Sequence, residues 1–242
     1  MNLTMILIVV FVLVVTILFY TFIRSVWKTF KFFLALVLIG MILLAISVFS
    51  DINDFKKNFP ASSNLYLLQQ SGKQSLITGY TQIMAEEFSP LSQEQISAYE
   101  EMLSDKDYQS IRGDHYKLFI IDQQAFDDIE SIALDQTEFS KKQADQLLAS
   151  ENARIGYLEM KQPETDILSR KKIADDMAAS DTEFKAYLFG QMLSSSLKKD
   201  PAFIFKKNKE GSLRVYPETM SFRFMKILPV SLIDKVTTGE QE

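Results

Sequence analysis

The 242 residues include one histidine, His115, and no cysteine. These counts remove thiol nucleophiles, disulfides, thiolate metal centres and multi-histidine metal sites. His115 stands in Arg112-Gly113-Asp114-His115, where it could act as a general base. Asp114 is its neighbour, but adjacent residues on a strand point to opposite faces, so Asp114 is badly placed to orient the ring. The plainer reading is a strand-edge histidine beside a turn, partly exposed, with no serine near it. Arg112-Gly113-Asp114 also spells a cell-adhesion tripeptide, at a point where the chain wants a turn in any case.

Ser194, Ser195 and Lys198 occur in SSSLK. A serine and a lysine three or four residues apart on a helix is the spacing of Ser–Lys hydrolases. The same pair is common on exposed helix faces. Asp122, Asp127, Asp128 and Glu130 crowd the segment IDQQAFDDIE. Carboxylates could hold Ca²⁺ or Mg²⁺, but an EF-hand needs alternating acids and a glycine at its sixth place, and neither is here. Asp127 suits a helix start. Phosphate-binding loops, dinucleotide glycine fingerprints, nucleophile elbows and H-E-x-x-H are missing. No cofactor or metal is expected.

The clearest statement in the sequence concerns location. LTMILIVVFVLVVTILFYTFI (3–23) and FFLALVLIGMILLAISVF (32–49) carry no charge. A bilayer core about 30 Å thick needs about 20 apolar residues in a helix. Both runs qualify, and both are apolar all round rather than along one stripe. A cleavable signal fits poorly: MNLT has no Lys or Arg, the first run is too long, and no A-x-A follows it. Between the runs lies RSVWKTFK (24–31). Eight residues cannot recross a bilayer, so the expectation is a two-helix transmembrane hairpin with a tight tip. Arg24, Lys28 and Lys31 can snorkel to water, and Trp27 suits the headgroup layer. Three cations in the tip, against Lys56 and Lys57 beyond the second run, are expected to place the tip in the cytoplasm and residues 51–242 outside it, with a cytoplasmic soluble domain as the alternative.

Residues 51–63 are expected to form a polar tether, and 64–242 one soluble domain. Beyond residue 50 there are 23 Lys and Arg against 31 Asp and Glu, a net of −8. An acidic domain repels nucleic acid and anionic lipid heads, so no nucleic-acid partner is expected. NLYLLQQ and QSLITGYTQI flank Ser71-Gly72-Lys73 as a β-hairpin. Ser92 caps a helix carrying Ile96, Tyr99 and Leu103. HYKLFIID (115–122) reads as a buried strand. Helices are expected near 124–133, 140–160, 163–179 and from Ser180 or Asp181 onward. AFIFKK, SLRVY and TMSFRFMKIL read as strands. This order does not alternate strictly, which predicts α+β with an antiparallel or mixed sheet and helices packed on it.

The expected function is a membrane-anchored, extracytoplasmic, non-enzymatic module of a cell-envelope assembly. Its partners would be the lipid bilayer and other envelope proteins, or further copies of itself. A membrane-bound hydrolase using Ser195 or His115 is the second class. An oligomeric channel or sensor subunit is the third, for which the apolar runs offer few polar groups.

Overall fold

The computed structural model describes residues 3–59, 61–83, 87–134, 137–176 and 180–238. The chain divides into two compact units, Met1–Ser50 and Asp51–Glu242. The described residues of the first are helix alone. Helix α1 runs from Leu3 to Asn58 and is unbroken through residues 24–31. The reversal expected there is not formed. The reason is legible in the segment: RSVWKTFK holds no Gly, Pro, Asn or Asp to stop a helix. Arg24, Lys28 and Lys31 recur at helical spacing and share a stripe. Trp27 stacks on Phe30 at 5.9 Å, and the Lys31 ammonium lies 5.6 Å from the Trp27 ring. Among the described residues one helix is long and apolar enough to cross a membrane, with a candidate span of Phe19–Phe55.

The second unit is α+β. In chain order it contains β1 (Ser63–Gln69), β2 (Leu76–Ile83), β3 (Glu87–Pro90), α2 (Gln93–Ser104), α3 (Tyr108–Arg112) and β4 (Lys117–Asp122). A short 3-10 turn, Gln123–Phe126, leads to β5 (Ser131–Leu134), β6 (Thr137–Ser140), α4 (Lys141–Ala149), α5 (Ala153–Lys161) and α6 (Ile167–Asp176). The chain continues through α7 (Asp181–Lys199), α8 (Phe203–Glu210), β7 (Leu213–Tyr216), α9 (Met220–Ile227) and α10 (Val230–Thr238). Five strands form one mixed sheet in the order β3-β2-β1-β4-β7; β5 and β6 form a separate ribbon. Only β1 and β4 are parallel.

The central strands explain the layering. Leu65, Leu67, Leu118 and Ile120 point to one face, where Leu91, Ile96, Leu103 and Ile111 cover them. Tyr66, Leu68, Phe119 and Ile121 point to the other, into a larger core built with α4, α5, α7 and α8. A strand covered on both faces must be apolar throughout, which is why LYLL and LFII lack alternation. Gly79 on β2 has a steric reason. A Cβ there would lie 2.7 Å from Leu67 Cδ2 and 2.8 Å from the Tyr66 carbonyl oxygen.

Several expected elements differ. The tether is largely helix: residues 51–58 are the last two turns of α1, and their apolar side belongs to the core. The helix expected at 124–133 is the 3-10 turn followed by β5. The one at 140–160 is two helices, because the Arg154 N–H donates to Asp181 Oδ1 at 2.9 Å, so a carboxylate from α7 caps α5. AFIFKK and TMSFRFMKIL are helical in α8 and α9 rather than strands. Their rings pack in helix–helix fashion, with Phe205 and Phe222 centroids 4.9 Å apart. Tertiary packing here overrides the strand preference of aromatic residues.

Candidate functional site

A cleft of about 610 Å³ opens between the sheet and α7. Its size falls within the range of small-ligand and peptide-anchor sites. The wall is aromatic, and strand register builds it. Tyr66 pairs with Phe119 across the parallel β1–β4 ladder and with Tyr80 across β1–β2. The Tyr66 ring stacks on both, at 5.0 and 4.9 Å. Tyr80 then meets Phe88 of β3 at 4.5 Å, and Phe88 stacks on Tyr187 of α7 at 4.7 Å. Each step is a directly opposed or diagonal cross-strand pair, until the last passes to the helix. Helix α7 comes this close because residue 190 is glycine; a Cβ there would lie 3.0 Å from the Phe88 ring.

Burial pushes the phenols of Tyr66 and Tyr80 well above their ordinary range, so both stay neutral and able to donate. The polar lining is Asn64, Gln82, Gln191, Ser194 and Lys198. Asn64 is nearly fully buried, and its amide donates to the Phe59 and Ser62 carbonyls at 2.8 and 3.1 Å. Those bonds fix the amide's orientation. Its Oδ1 accepts no hydrogen bond among the described residues. An unmatched buried acceptor costs about 1–3 kcal/mol, so an incoming N–H would be rewarded there. Among the described residues no carboxylate or histidine lines the cleft.

The sequence candidates are not gathered together. Ser194 and Lys198 line the cleft, one turn apart on α7. Neither Ser194 nor Ser195 is hydrogen-bonded to Lys198. Ser195 is half-buried and does not line the cleft, while Ser196 is buried and donates to the Met192 carbonyl at 2.9 Å. The acidic cluster is divided among separate partners. Asp122 Oδ1 accepts from Ser71 Oγ at 2.6 Å and from the Gln124 N–H at 3.0 Å. Asp127 pairs with Lys141 at 3.3 Å and Asp128 with Lys207 at 2.6 Å. Lys207 holds the Asp128 carboxyl below its ordinary range. Glu130 is exposed. Among the described residues no three His, Asp or Glu side chains converge as metal ligands.

His115 does have a serine beside it, contrary to the expectation. Ser63 Oγ lies 2.7 Å from its Nδ1. The parallel β1–β4 pairing brings their segments side by side: the Tyr116 N–H donates to the Ser63 carbonyl at 2.8 Å. The signal was invisible in sequence, because 52 residues separate the pair. His115 is half-buried, and among the described residues no carboxylate is hydrogen-bonded to its ring. Burial lowers its pKa, against the pull of Asp114 and with a smaller push from Arg112. A polar network continues next to it. The Tyr116 hydroxyl donates to Asp54 Oδ2 at 2.8 Å, and the Ser221 N–H donates to Asp51 Oδ2 at 3.2 Å. Lys117, buried, donates to the Pro217 carbonyl at 2.7 Å. These bonds fasten the end of α1 to the sheet and to α9.

The sign of the His115 shift gives a pH prediction. Its folded pKa lies below the unfolded value of 6.5, so between the two the unfolded chain holds the extra proton. Stability from this residue is complete above 6.5 and falls as pH drops through that window. The melting temperature of the full chain in detergent should therefore fall from about pH 7.5 to about pH 5.5, and His115→Gln should reduce the fall. An equal fall in both proteins would refute the assignment.

The chain matches no known protein family, no characterised protein and no solved structure.

Proposed function

We propose that the chain is a membrane-anchored, non-enzymatic binding module of a cell-envelope assembly, in which the aromatic cleft receives an apolar segment of a partner protein. The observation that carries this reading is the cleft's composition: a stacked aromatic wall, an unmatched amide oxygen and a lysine rim, with no acid–base pair among the described residues. Aromatic surfaces of this kind supply binding energy at low entropic cost. A Ser–His bond at Ser63 and His115 favours the hydrolase as a second reading, with Ser63 in place of Ser195. It lacks an orienting carboxylate, and neither residue lines the cleft.

For the anchor, the proposed topology is two-pass in the bilayer. A straight α1 of 56 residues would be about 84 Å long, nearly three times the bilayer core. Either apolar run alone matches that thickness. The three cations between them are the costliest residues to leave in hydrocarbon, and although α1 is continuous there, a break in residues 24–31 within the bilayer would put them at a surface. That surface is proposed to be cytoplasmic, with residues 51–242 on the other side.

The binding reading is tested with a photo-crosslinking residue at Gln191, exposed on the cleft lining. One discrete protein adduct should form in cells, and Ser194→Trp, which fills the cleft, should abolish it without lowering the melting temperature. An adduct indifferent to Ser194→Trp, or none at all, would sink the proposal.

A further inference from the structure

Eight large apolar side chains of residues 51–242 are exposed among those described, and four of them fall within residues 220–232. They are Met220 and Ile227 of α9 and Val230 and Leu232 of α10. Ile227 is 79% exposed. Scattered single apolar residues need no explanation, but four within residues 220–232 do.

The corner is also tied to the anchor. Its inward side chains, Met225 and Ile233, form a small core with Ala202, and Ile52 packs against it. Ile52 follows Phe49, the last residue of the second apolar run, by three residues of continuous helix. That is about 4.5 Å of helix rise. Ile52, packed under this corner, is the second residue of the unit that follows the apolar segment in the chain.

The backbone is prepared for a dry setting. The last carbonyls of a helix are normally left to water. Here the Lys209 ammonium donates to the Lys226 carbonyl at 2.7 Å and to the Leu228 carbonyl at 2.6 Å. The turn that displays Ile227 thus has these carbonyls satisfied by a side chain, which lowers the cost of placing it in a poorly hydrated layer. Arg223 and Lys226 are both paired with Glu218, which offsets one of their two charges.

We infer that the α9–α10 corner lies in the bilayer surface, with Ile227, Val230 and Leu232 at the boundary between headgroups and acyl chains. This rests on the membrane anchoring proposed above and adds a second, monotopic contact. A bilayer is the occupant because Ile52, packed under the corner, follows the apolar run by three residues of chain. The other exposed pair, Ile167 and Leu168 of α6, has no such link.

Because the chain has no cysteine, single cysteines report cleanly. Full-length Ile227→Cys, Val230→Cys, Ile39→Cys and Glu101→Cys proteins would carry an environment-sensitive fluorophore in phosphatidylcholine vesicles doped with nitroxide lipid. Quenching is expected at 39, 227 and 230, and not at 101 on α2. Quenching at 39 alone would overturn the corner contact while leaving the anchor intact. Absence of quenching at 39 would overturn the anchor and this inference together. A blue-shifted label at 227 that nitroxide lipid does not quench would mean a protein neighbour, and would equally overturn the inference.

Discussion

Phe55→Ala should lower the melting temperature of the full chain in detergent by about 10 °C. The Phe55 ring is half-buried and lies 4.6 Å from Phe59, 5.5 Å from Phe222 and 6.0 Å from Phe205. Phe59 carries the contact on to Phe119 of the central strand at 5.7 Å. Truncating a core Phe to Ala costs about 3–5 kcal/mol, and half-burial selects the lower end. At this chain length each kcal/mol lowers the midpoint by about 2–4 °C. Phe59→Ala should act similarly. Leu38→Ala, in the apolar run outside this core, should leave the midpoint of the soluble unit unchanged. A drop of less than about 2 °C for Phe55→Ala would restore the view of residues 51–63 as a passive tether.

Cysteine accessibility should be all-or-none across the membrane. With the tip in the cytoplasm, Ser25→Cys is protected from a membrane-impermeant thiol reagent in intact cells. Glu210→Cys, exposed at the end of α8, reacts. Asn2→Cys separates the two ways of using α1. A two-pass hairpin puts it on the side of Glu210, and a single pass through the second run puts it with Ser25. Reaction at 25 with protection at 210 would invert the orientation. Protection at both 2 and 25, with reaction at 210, would replace the hairpin by a single pass. The physical basis is that short flanking segments rich in Lys and Arg stay on the cytoplasmic side, while acids count little.

What the sequence settled, it settled through local rules. Ser92 caps α2, and Ser180, one of the two residues the sequence offers, caps α7, each with a complete capping box to Gln95 and Glu183. Those boxes span three residues, so nothing distant could hide them. The β1–β2 hairpin was legible because Gly72, at φ +72°, is the residue such a turn requires between two apolar strands. A helical N-terminal region long and apolar enough to span a membrane was legible from its uncharged runs, but their union in one continuous helix was not. The α+β class followed from the mixture of these signals.

What the sequence could not decide depends on partners far along the chain. Asp181 caps α5 across 27 residues and so divides what local periodicity reads as one helix. AFIFKK and SFRF become helices because Phe205 and Phe222 bury against each other and against Phe55, which no local window contains. The aromatic wall exists only once register sets Tyr66 between Phe119 and Tyr80, and α7 adds Tyr187. The Ser63–His115 bond needs the parallel pairing of β1 with β4. Caps and turns are fixed by neighbours within a few residues, and apolar length by composition. A cleft is fixed by which distant faces share one core, and that was decided only when the chain buried its rings together.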